Sequence, residues 1–245
     1  MKISGGVGLK NQRVFKGTKV VVAASVLVFL VMIFSPSVPD AEGAPSGVEI
    51  DGVVYDLDSP NVGKATVSSR IGGYAGDITI PATVTFEGHA YDVTAVDGSA
   101  FKNNLDLTSV TIGKNVTSIT DYALSGCTKL LSVSVDSDNT KYSSIDDVLY
   151  NKNKTELIQY PGGKTGSFTI PNNVTKTGGY AFASSVELTS VVIPDTLTTL
   201  GTYAFQDCAK LTTVTINESS LLTTIPNSSF LNCSKLTSIY IFRVL

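Results

Sequence analysis

Gly163-Lys164-Thr165 matches the last three residues of a P-loop, a glycine-rich turn that cradles nucleotide phosphates in front of a helix. The complete P-loop also needs a glycine five residues before Gly163, and Ile158 occupies that position. No helix can begin directly after Thr165, because a short apolar strand and then Pro171 follow. The stretch therefore predicts a turn with a solvated Lys164, and neither a nucleotide nor any other cofactor is expected.

His89 is the only histidine in the sequence, so a Ser-His-Asp triad could form only around it. The sequence has no G-x-S-x-G motif to supply the nucleophile of such a triad. No second metal-ligating residue lies at zinc-ligand spacing from it. We therefore expect His89 to be a loop residue and the protein not to be an enzyme.

An acidic cluster raises the question of calcium, which prefers carboxylate and amide oxygens as ligands. The cluster contains Asp136, Asp138, Asn139, Asp146 and Asp147. The D-x-[DN]-x-[DN]-G pattern of a calcium loop is absent from it. We expect a solvated loop and no metal site.

Cys127, Cys208 and Cys233 each lie eight residues before the apolar residue that ends a predicted strand. Their spacing matches no zinc site, and the common phase predicts buried residues that act as small hydrophobic side chains. A Cys208–Cys233 disulfide stays open as an alternative, because neighbouring strands are ~4.8 Å apart. Equivalent side chains point in the same direction, however, which disfavours that bond.

The charge balance argues against nucleic acid as a partner. The chain has 18 basic and 21 acidic residues, and five of the basic but only two of the acidic ones lie in the first 43. The remaining 13 basic and 19 acidic residues give the body a net charge of −6. Such a body repels nucleic acid and anionic membranes.

The N-terminus predicts a targeting segment over residues 1–43. Val20–Phe34 is a run of 15 uncharged residues with basic residues before it and small, turn-forming residues after it. This pattern is typical of a secretory signal, with cleavage before Ala44, or of a retained signal-anchor over Thr18–Val38. In both cases the body lies outside the cytoplasm, secreted or anchored at the cell surface, and contacts a membrane only through this segment.

The body of the chain is a repeat. Five blocks share the pattern L-x-x-V-x-I in the same phase: Ala100–Ile112, Ala123–Val135, Ala181–Ile193, Ala204–Ile216 and Ser229–Ile241. Two shorter segments that end at Pro81 and Pro171 keep only the strand. The period near 23 residues predicts a mainly β solenoid over 77–245, with about seven rungs and one parallel sheet.

One rung carries an insertion. Val148–Tyr150 and Leu157–Tyr160 are short apolar runs separated by the polar segment Asn151–Thr155. This pattern predicts a β-hairpin insertion at about 146–163, after which Pro161-Gly162-Gly163 returns the chain to the repeat.

The outward positions of the predicted strands are mostly serine and threonine. If the valines and isoleucines point inward, their neighbours form a polar surface that we call the hydroxyl face. It comprises Ser109, Thr111, Ser132, Ser134, Ser190, Val192, Thr213, Thr215, Ser238 and Tyr240. This face is the candidate binding site, and an ordinary solvated sheet surface is the alternative.

The segments Asp146–Phe182 and Leu188–Ile216 ("LTSVVIPDTLTTLGTYAFQDCAKLTTVTI") resemble the BspA-like leucine-rich repeat family. The resemblance implies a surface-exposed solenoid, in a family of which several members are linked to adhesion and to host or matrix binding. It supplies no catalytic residues. It also implies that residues 44–76 form a strand-rich N-terminal capping segment. The sequence departs from the pattern at "IYIFRVL", which has no recognisable cap after its strand.

We therefore expect an extracytoplasmic binding or adhesion protein with a protein or glycan ligand. The alternative is a structural envelope protein that self-associates through its uncapped C-terminal rung.

Overall fold

The computed structural model describes residues 44–59, 61–217 and 219–241. The predicted targeting segment lies outside these described residues. Within them the fold is mainly β, with 17 strands and no helix. Consequently, none of the described residues belongs to a helix that is long and apolar enough to span a membrane.

The strands follow one another at short intervals along the chain. They are β1 (Val48–Ile50), β2 (Val53–Leu57), β3 (Lys64–Val67), β4 (Ala75–Ile80), β5 (Thr83–Phe86), β6 (His89–Val96), β7 (Asp106–Ile112), β8 (Ser118–Ile119), β9 (Ser132–Val135), β10 (Tyr142–Ile145), β11 (Val148–Asn151), β12 (Glu156–Gln159), β13 (Gly166–Thr169), β14 (Lys176–Thr177), β15 (Leu188–Ile193), β16 (Thr213–Ile216) and β17 (Ser238–Ile241).

The N-terminal region forms a mixed sheet of six strands in the order β1-β2-β3-β6-β5, with β8 paired to β6. The pairs β1–β2, β2–β3 and β5–β6 are antiparallel, whereas β3–β6 and β6–β8 are parallel. The sheet therefore includes strands from beyond residue 76.

The seven strands that the repeat predicts are present, but they do not form one sheet. Strands β4, β7 and β9 make one parallel sheet, and β13, β15, β16 and β17 make another. The prediction of a single parallel sheet is wrong because the insertion occupies the position after β9. The backbone N–H of Val133 in β9 donates to the carbonyl of Asp147 at 2.8 Å, so β9 bonds to the insertion instead of β13.

The insertion is larger than the predicted hairpin. Strands β11 and β12 form that hairpin, but β10 precedes them and pairs antiparallel with β11. The prediction of a solvated loop between residues 136 and 147 is therefore wrong for β10 and for Asn139, which is fully buried. Pro161-Gly162-Gly163 follows β12 and precedes β13.

The core follows the repeat. The central inward residues Val110, Val133, Val191 and Val214 are 0–1% exposed, because each is covered by neighbouring strands. On the opposite wall the rings of Phe182 and Phe205 stack with centroids 4.6 Å apart. The ring of Phe230 stacks on Phe205 at 5.3 Å, which continues the aromatic row. The inward aliphatic side chains of the parallel strands thus face a row of aromatic rings on the opposite wall of the core.

Candidate functional site

The structure arranges the hydroxyl face as two patches, one on each parallel sheet. On the N-terminal patch Ser109 lies opposite Ser132 and Thr111 lies opposite Ser134. The Thr111 and Ser134 hydroxyl oxygens are 3.0 Å apart, so these two side chains share a hydrogen bond across the strands.

The C-terminal patch has two rows in register. Ser190, Thr213 and Ser238 form one row, and Val192, Thr215 and Tyr240 form the other. None of the ten predicted face residues is buried, and Ser134 and Tyr240 are exposed. The face is therefore a regular surface of accessible hydroxyl groups, interrupted by Val192.

Sequence reasoning missed four further members of the face. Asp77 and Thr79 of β4 lie opposite Ser109 and Thr111. Ser167 and Thr169 of β13 lie opposite Ser190 and Val192. The signal was present in the sequence, because the strands before Pro81 and Pro171 carry these residues at the same outward positions.

Asp77 brings a carboxylate to the N-terminal patch. Its Oδ1 accepts hydrogen bonds from Ser109 Oγ at 2.6 Å and from Thr108 Oγ1 at 2.8 Å. These hydrogen bonds, with that from Ser109 the larger contribution, hold the pKa of Asp77 below its usual range. The N-terminal patch thus combines hydroxyl groups with a charged acceptor, whereas the four strands of the C-terminal patch present no acidic residue at their paired outward positions.

A second repeated surface is aromatic, and sequence reasoning also missed it. Tyr122, Tyr180 and Tyr203 each precede the alanine of an Ala-Phe or Ala-Leu pair. The Tyr180 and Tyr203 rings stack with centroids 5.1 Å apart, and Tyr122 meets Tyr180 edge-on at 5.9 Å. The Nζ of Lys102 lies 5.0 Å from the centroid of the Tyr122 ring. These rings pack mainly on one another, which fits a stabilising role.

The cysteines are free thiols, and Cys208 and Cys233 form no disulfide. Cys127, Cys208 and Cys233 donate their thiols to phenylalanine carbonyls at 2.9, 3.1 and 2.9 Å. The predicted burial is confirmed for Cys127 and Cys208, whereas Cys233 is half-buried. Burial raises the pKa of the Cys127 thiol to about 12, and a hydrogen bond with Cys233 together with burial raises that of Cys208. Cys127 and Cys208 are therefore weak nucleophiles.

Lys164, predicted to be solvated, has partners instead. Its Nζ donates to the carbonyl of Asp146 at 2.6 Å and lies 3.1 Å from Oδ2 of Asp147. Its side chain is only 26% exposed, so it joins the return turn to the insertion. His89 begins strand β6 and is exposed, so the prediction of a loop residue is wrong.

The comparisons with known proteins agree with the repeat. The family model described as "BspA type Leucine rich repeat region" matches residues 83–165 and 160–245 with six copies of the repeat. These matches together cover more than half of the chain. The chain therefore belongs to the BspA-type leucine-rich repeat family. Bacterial leucine-rich repeat proteins are typically surface proteins that take part in protein interactions. Comparison with curated protein sequences gives no significant match.

Solved structures of bacterial leucine-rich repeat proteins show partial similarity to this chain. A protein from Eubacterium ventriosum has 20% identity and a TM-score of 0.44, with 77% of this chain and 76% of that chain covered. A cell surface protein from Faecalibacterium prausnitzii has 18% identity and a TM-score of 0.39, with 82% and 96% covered. A protein from Bacteroides ovatus has 25% identity and a TM-score of 0.44, with 74% and 54% covered.

Proposed function

We propose that the protein is an extracytoplasmic binding protein that mediates macromolecular interaction or adhesion at a cell surface through its hydroxyl face. The observation that carries this proposal is the register of the face. Serine and threonine recur at the outward positions of neighbouring strands in both parallel sheets. Such a surface offers the same group to a ligand at each strand, about 4.8 Å apart.

The chemistry of the face fits a polar macromolecule. A hydroxyl group both donates and accepts hydrogen bonds, so the face can pair with the backbone of a protein or with the hydroxyl groups of a glycan. Each such bond contributes only about 1 kcal/mol net. Affinity therefore has to be spread over several strands, which a long and regular surface allows. The proposal assigns no catalytic residue and no cofactor.

The remaining parts of the chain receive their roles within the same proposal. Residues 1–43 act as a secretory signal or a retained anchor, and residues 44–76 cap the repeat. Residues 77–245 form a solenoid of about seven rungs. Sequencing the N-terminus of the mature protein separates cleavage before Ala44 from a retained anchor.

The direct test is capture of a ligand. The full-length chain is immobilised and exposed to extracellular matrix proteins and cell-surface glycans, and bound material is identified by mass spectrometry. We expect binding that is lost when lysines replace Thr213 and Thr215. Thr140→Lys is the matched control, because Thr140 is exposed in the turn before β10 and outside the face. Failure to capture any matrix or surface component would contradict the adhesion role.

Self-association through the last strand is a second candidate, and one observation favours it. Ile239 of β17 is 39% exposed, whereas its register partner Val214 is 0% exposed. An exposed apolar side chain at an inward position can pack against a further strand from another copy of the chain. Light scattering over a hundredfold range of protein concentration tests this candidate. A concentration-dependent mass that Ile239→Lys abolishes would support it, and a constant monomer mass would exclude it.

A further inference from the structure

Strand β4 is an edge strand with a free hydrogen-bonding side. Among the described strands it pairs only with β7. In the parallel sheets the inward residues bond toward the following strand, as the bonds Ile170 N–H to Val192 O and Asp136 N–H to Ile112 O show. Ile78 of β4 accordingly faces β7.

The backbone groups of the alternate residues on β4 point the other way. By the geometry of a parallel ladder, the N–H and C=O of Asp77 and Thr79 face away from β7. Among the described residues these groups have no backbone partner. They form a short row of unmatched donors and acceptors.

This free side opens onto a groove of about 370 Å³ between β4 and the β1–β2 hairpin. Its apolar walls include Ile50, Val53, Ile78 and Val84. Its charged lining residues are Asp51 and Asp77, and no basic residue lines it. The groove is thus apolar in its depth and acidic at its rim, where Oδ1 of Asp77 also accepts the hydrogen bonds from Thr108 and Ser109.

The repeat itself indicates what the groove lacks. Val110 and Val133, the register partners that follow Ile78, are 1% and 0% exposed. Ile78 is only partly buried, because no strand precedes β4 in its sheet. An added strand with an apolar residue beside Ile78 would complete the pattern and satisfy Asp77 and Thr79.

We propose that this groove binds an extended, basic-apolar peptide segment of a partner protein as an additional strand on β4. The peptide backbone pairs with the N–H and C=O groups of Asp77 and Thr79. Alternate apolar side chains of the peptide enter the groove against Ile78 and Val53. Its lysine or arginine side chains lie at the rim, near Asp51 and Asp77, where no competing cation lines the groove.

The site adds a second mode of binding to the hydroxyl face. It relies on backbone groups and a cavity, whereas the face relies on outward side chains across several strands. The groove shares Asp77 and Thr79 with the N-terminal patch, whereas the C-terminal patch belongs to a different sheet and can be changed separately. Lysines at Thr213 and Thr215 should therefore remove binding to the face and leave the peptide bound.

The test uses the full-length chain and a fluorescein-labelled hexapeptide of alternating lysine and valine, followed by fluorescence anisotropy. We expect saturable binding that weakens as salt is raised, because opposite charges meet at the rim. The same peptide with alternate backbone nitrogens methylated cannot form the strand pairing and should bind at least about tenfold more weakly. A glutamate-valine peptide should not bind.

Two variants and one control locate the site. Thr79→Pro removes a free N–H without breaking the β4–β7 ladder, since proline is tolerated where an edge N–H faces outward. Asp77→Lys reverses the charge at the rim. Each should weaken the lysine-valine peptide about tenfold. Glu87→Lys is the control, because Glu87 lies in the β5–β6 turn and does not line the groove.

Equal binding of the methylated peptide, or full affinity in Thr79→Pro with native circular dichroism, would overturn the proposal. A dimer that Thr79→Pro disrupts in light scattering would also overturn it, because the occupant would then be a second copy of the chain.

Discussion

Asn139 shows how a single amide joins the insertion to the repeat before it. Its Nδ2 donates to the carbonyls of Gly113 and Val116, both at 2.9 Å. Its Oδ1 accepts the backbone N–H groups of Lys141 and Tyr142, both at 2.8 Å. The side chain is fully buried, and its two bonds to the carbonyls of Gly113 and Val116 lie where water cannot easily replace them.

Replacing Asn139 with alanine should lower the free energy of unfolding by about 3 kcal/mol, because it removes four hydrogen bonds, two of them buried bonds to the carbonyls of Gly113 and Val116. Urea unfolding followed by circular dichroism measures the loss. Asp138→Ala is the control, since Asp138 is exposed and should change stability by no more than about 0.5 kcal/mol. Equal losses in the two variants would show that the Asn139 network contributes nothing.

A left-handed backbone position recurs in the turn after each Phe or Leu of the opposite wall. Five residues hold it, with φ between 58° and 81°: Asn103, Gly126, Ser184, Asp207 and Asn232. Glycine, asparagine and aspartate tolerate this conformation, whereas β-branched residues do not. The turn thus selects for these residue types by backbone conformation.

Ser184→Val should therefore destabilise the protein by about 1–2 kcal/mol, because valine is strained at positive φ. Ser184→Gly should be neutral or slightly stabilising, since glycine has no such strain. Thr189→Val is the control at an exposed strand position. The thermal midpoints of the three variants test the order, and a Ser184→Val midpoint equal to that of Thr189→Val would refute it.

At the scale of elements, the sequence predicted where the strands lie better than it predicted which strands pair with each other. The L-x-x-V-x-I phase located β7, β9, β15, β16 and β17, because inward aliphatic residues leave a periodic signal. The same phase predicts neither which strands pair nor where a sheet is interrupted. The two separate sheets result from the insertion that bonds to β9, a long-range contact without a local signal.

Strand β10 was missed for a related reason. Its sequence YSSI carries one aliphatic residue and no alternation, so local pattern could not identify it. Strand β10 is positioned by its pairing with β11. It is also positioned by the hydrogen bonds that the N–H groups of Lys141 and Tyr142 donate to Asn139. The hydroxyl face was predictable from alternation alone, whereas the groove beside β4 depends on how the N-terminal sheet packs.

Gly178 and Gly201 occupy equivalent positions in two successive repeats. Neither has a positive φ. Gly201 is required instead because successive repeats approach closely there: a Cβ on it would overlap the carbonyl group of Gly178. A Cβ on Gly178 would meet its nearest atom at an ordinary 3.4 Å.

Gly201→Ala should accordingly cost about 2 kcal/mol or more, because backbone atoms have to move apart. Gly178→Ala is the matched control and should cost less than about 1 kcal/mol. Urea unfolding of both variants decides the point, and a reversed order would contradict the close approach of the two repeats.

At the scale of the whole molecule, buried tyrosines couple stability to alkaline pH. Burial raises the pKa of Tyr150 and of Tyr160 to about 12. Burial likewise raises the pKa of Tyr55, Tyr74 and Tyr142. An unfolded tyrosine has a pKa near 10, so above that pH the unfolded chain loses protons that the folded chain keeps. The contribution of these buried tyrosines to the free energy of unfolding is therefore fully present below about pH 10 and is lost as the pH rises toward 12.

We expect the urea midpoint to fall steeply between about pH 10 and pH 12 and to fall less steeply in Tyr150→Phe. The slope is the informative quantity, because removal of the hydroxyl group also shifts the midpoint at neutral pH. Parallel slopes in the two proteins would show that Tyr150 does not contribute to alkaline unfolding.

The most direct test of the binding role measures the affinity of the captured ligand for variants of each patch and for a control variant. Biolayer interferometry would measure this affinity for three full-length variants. One has lysines at Thr213 and Thr215, one has lysines at Ser109 and Thr111, and the third is Thr140→Lys. We predict that the variant with lysines at Thr213 and Thr215 loses about tenfold or more in affinity while Thr140→Lys binds normally. Undiminished binding by both face variants, with native circular dichroism, would contradict the assignment of the hydroxyl face as the binding surface.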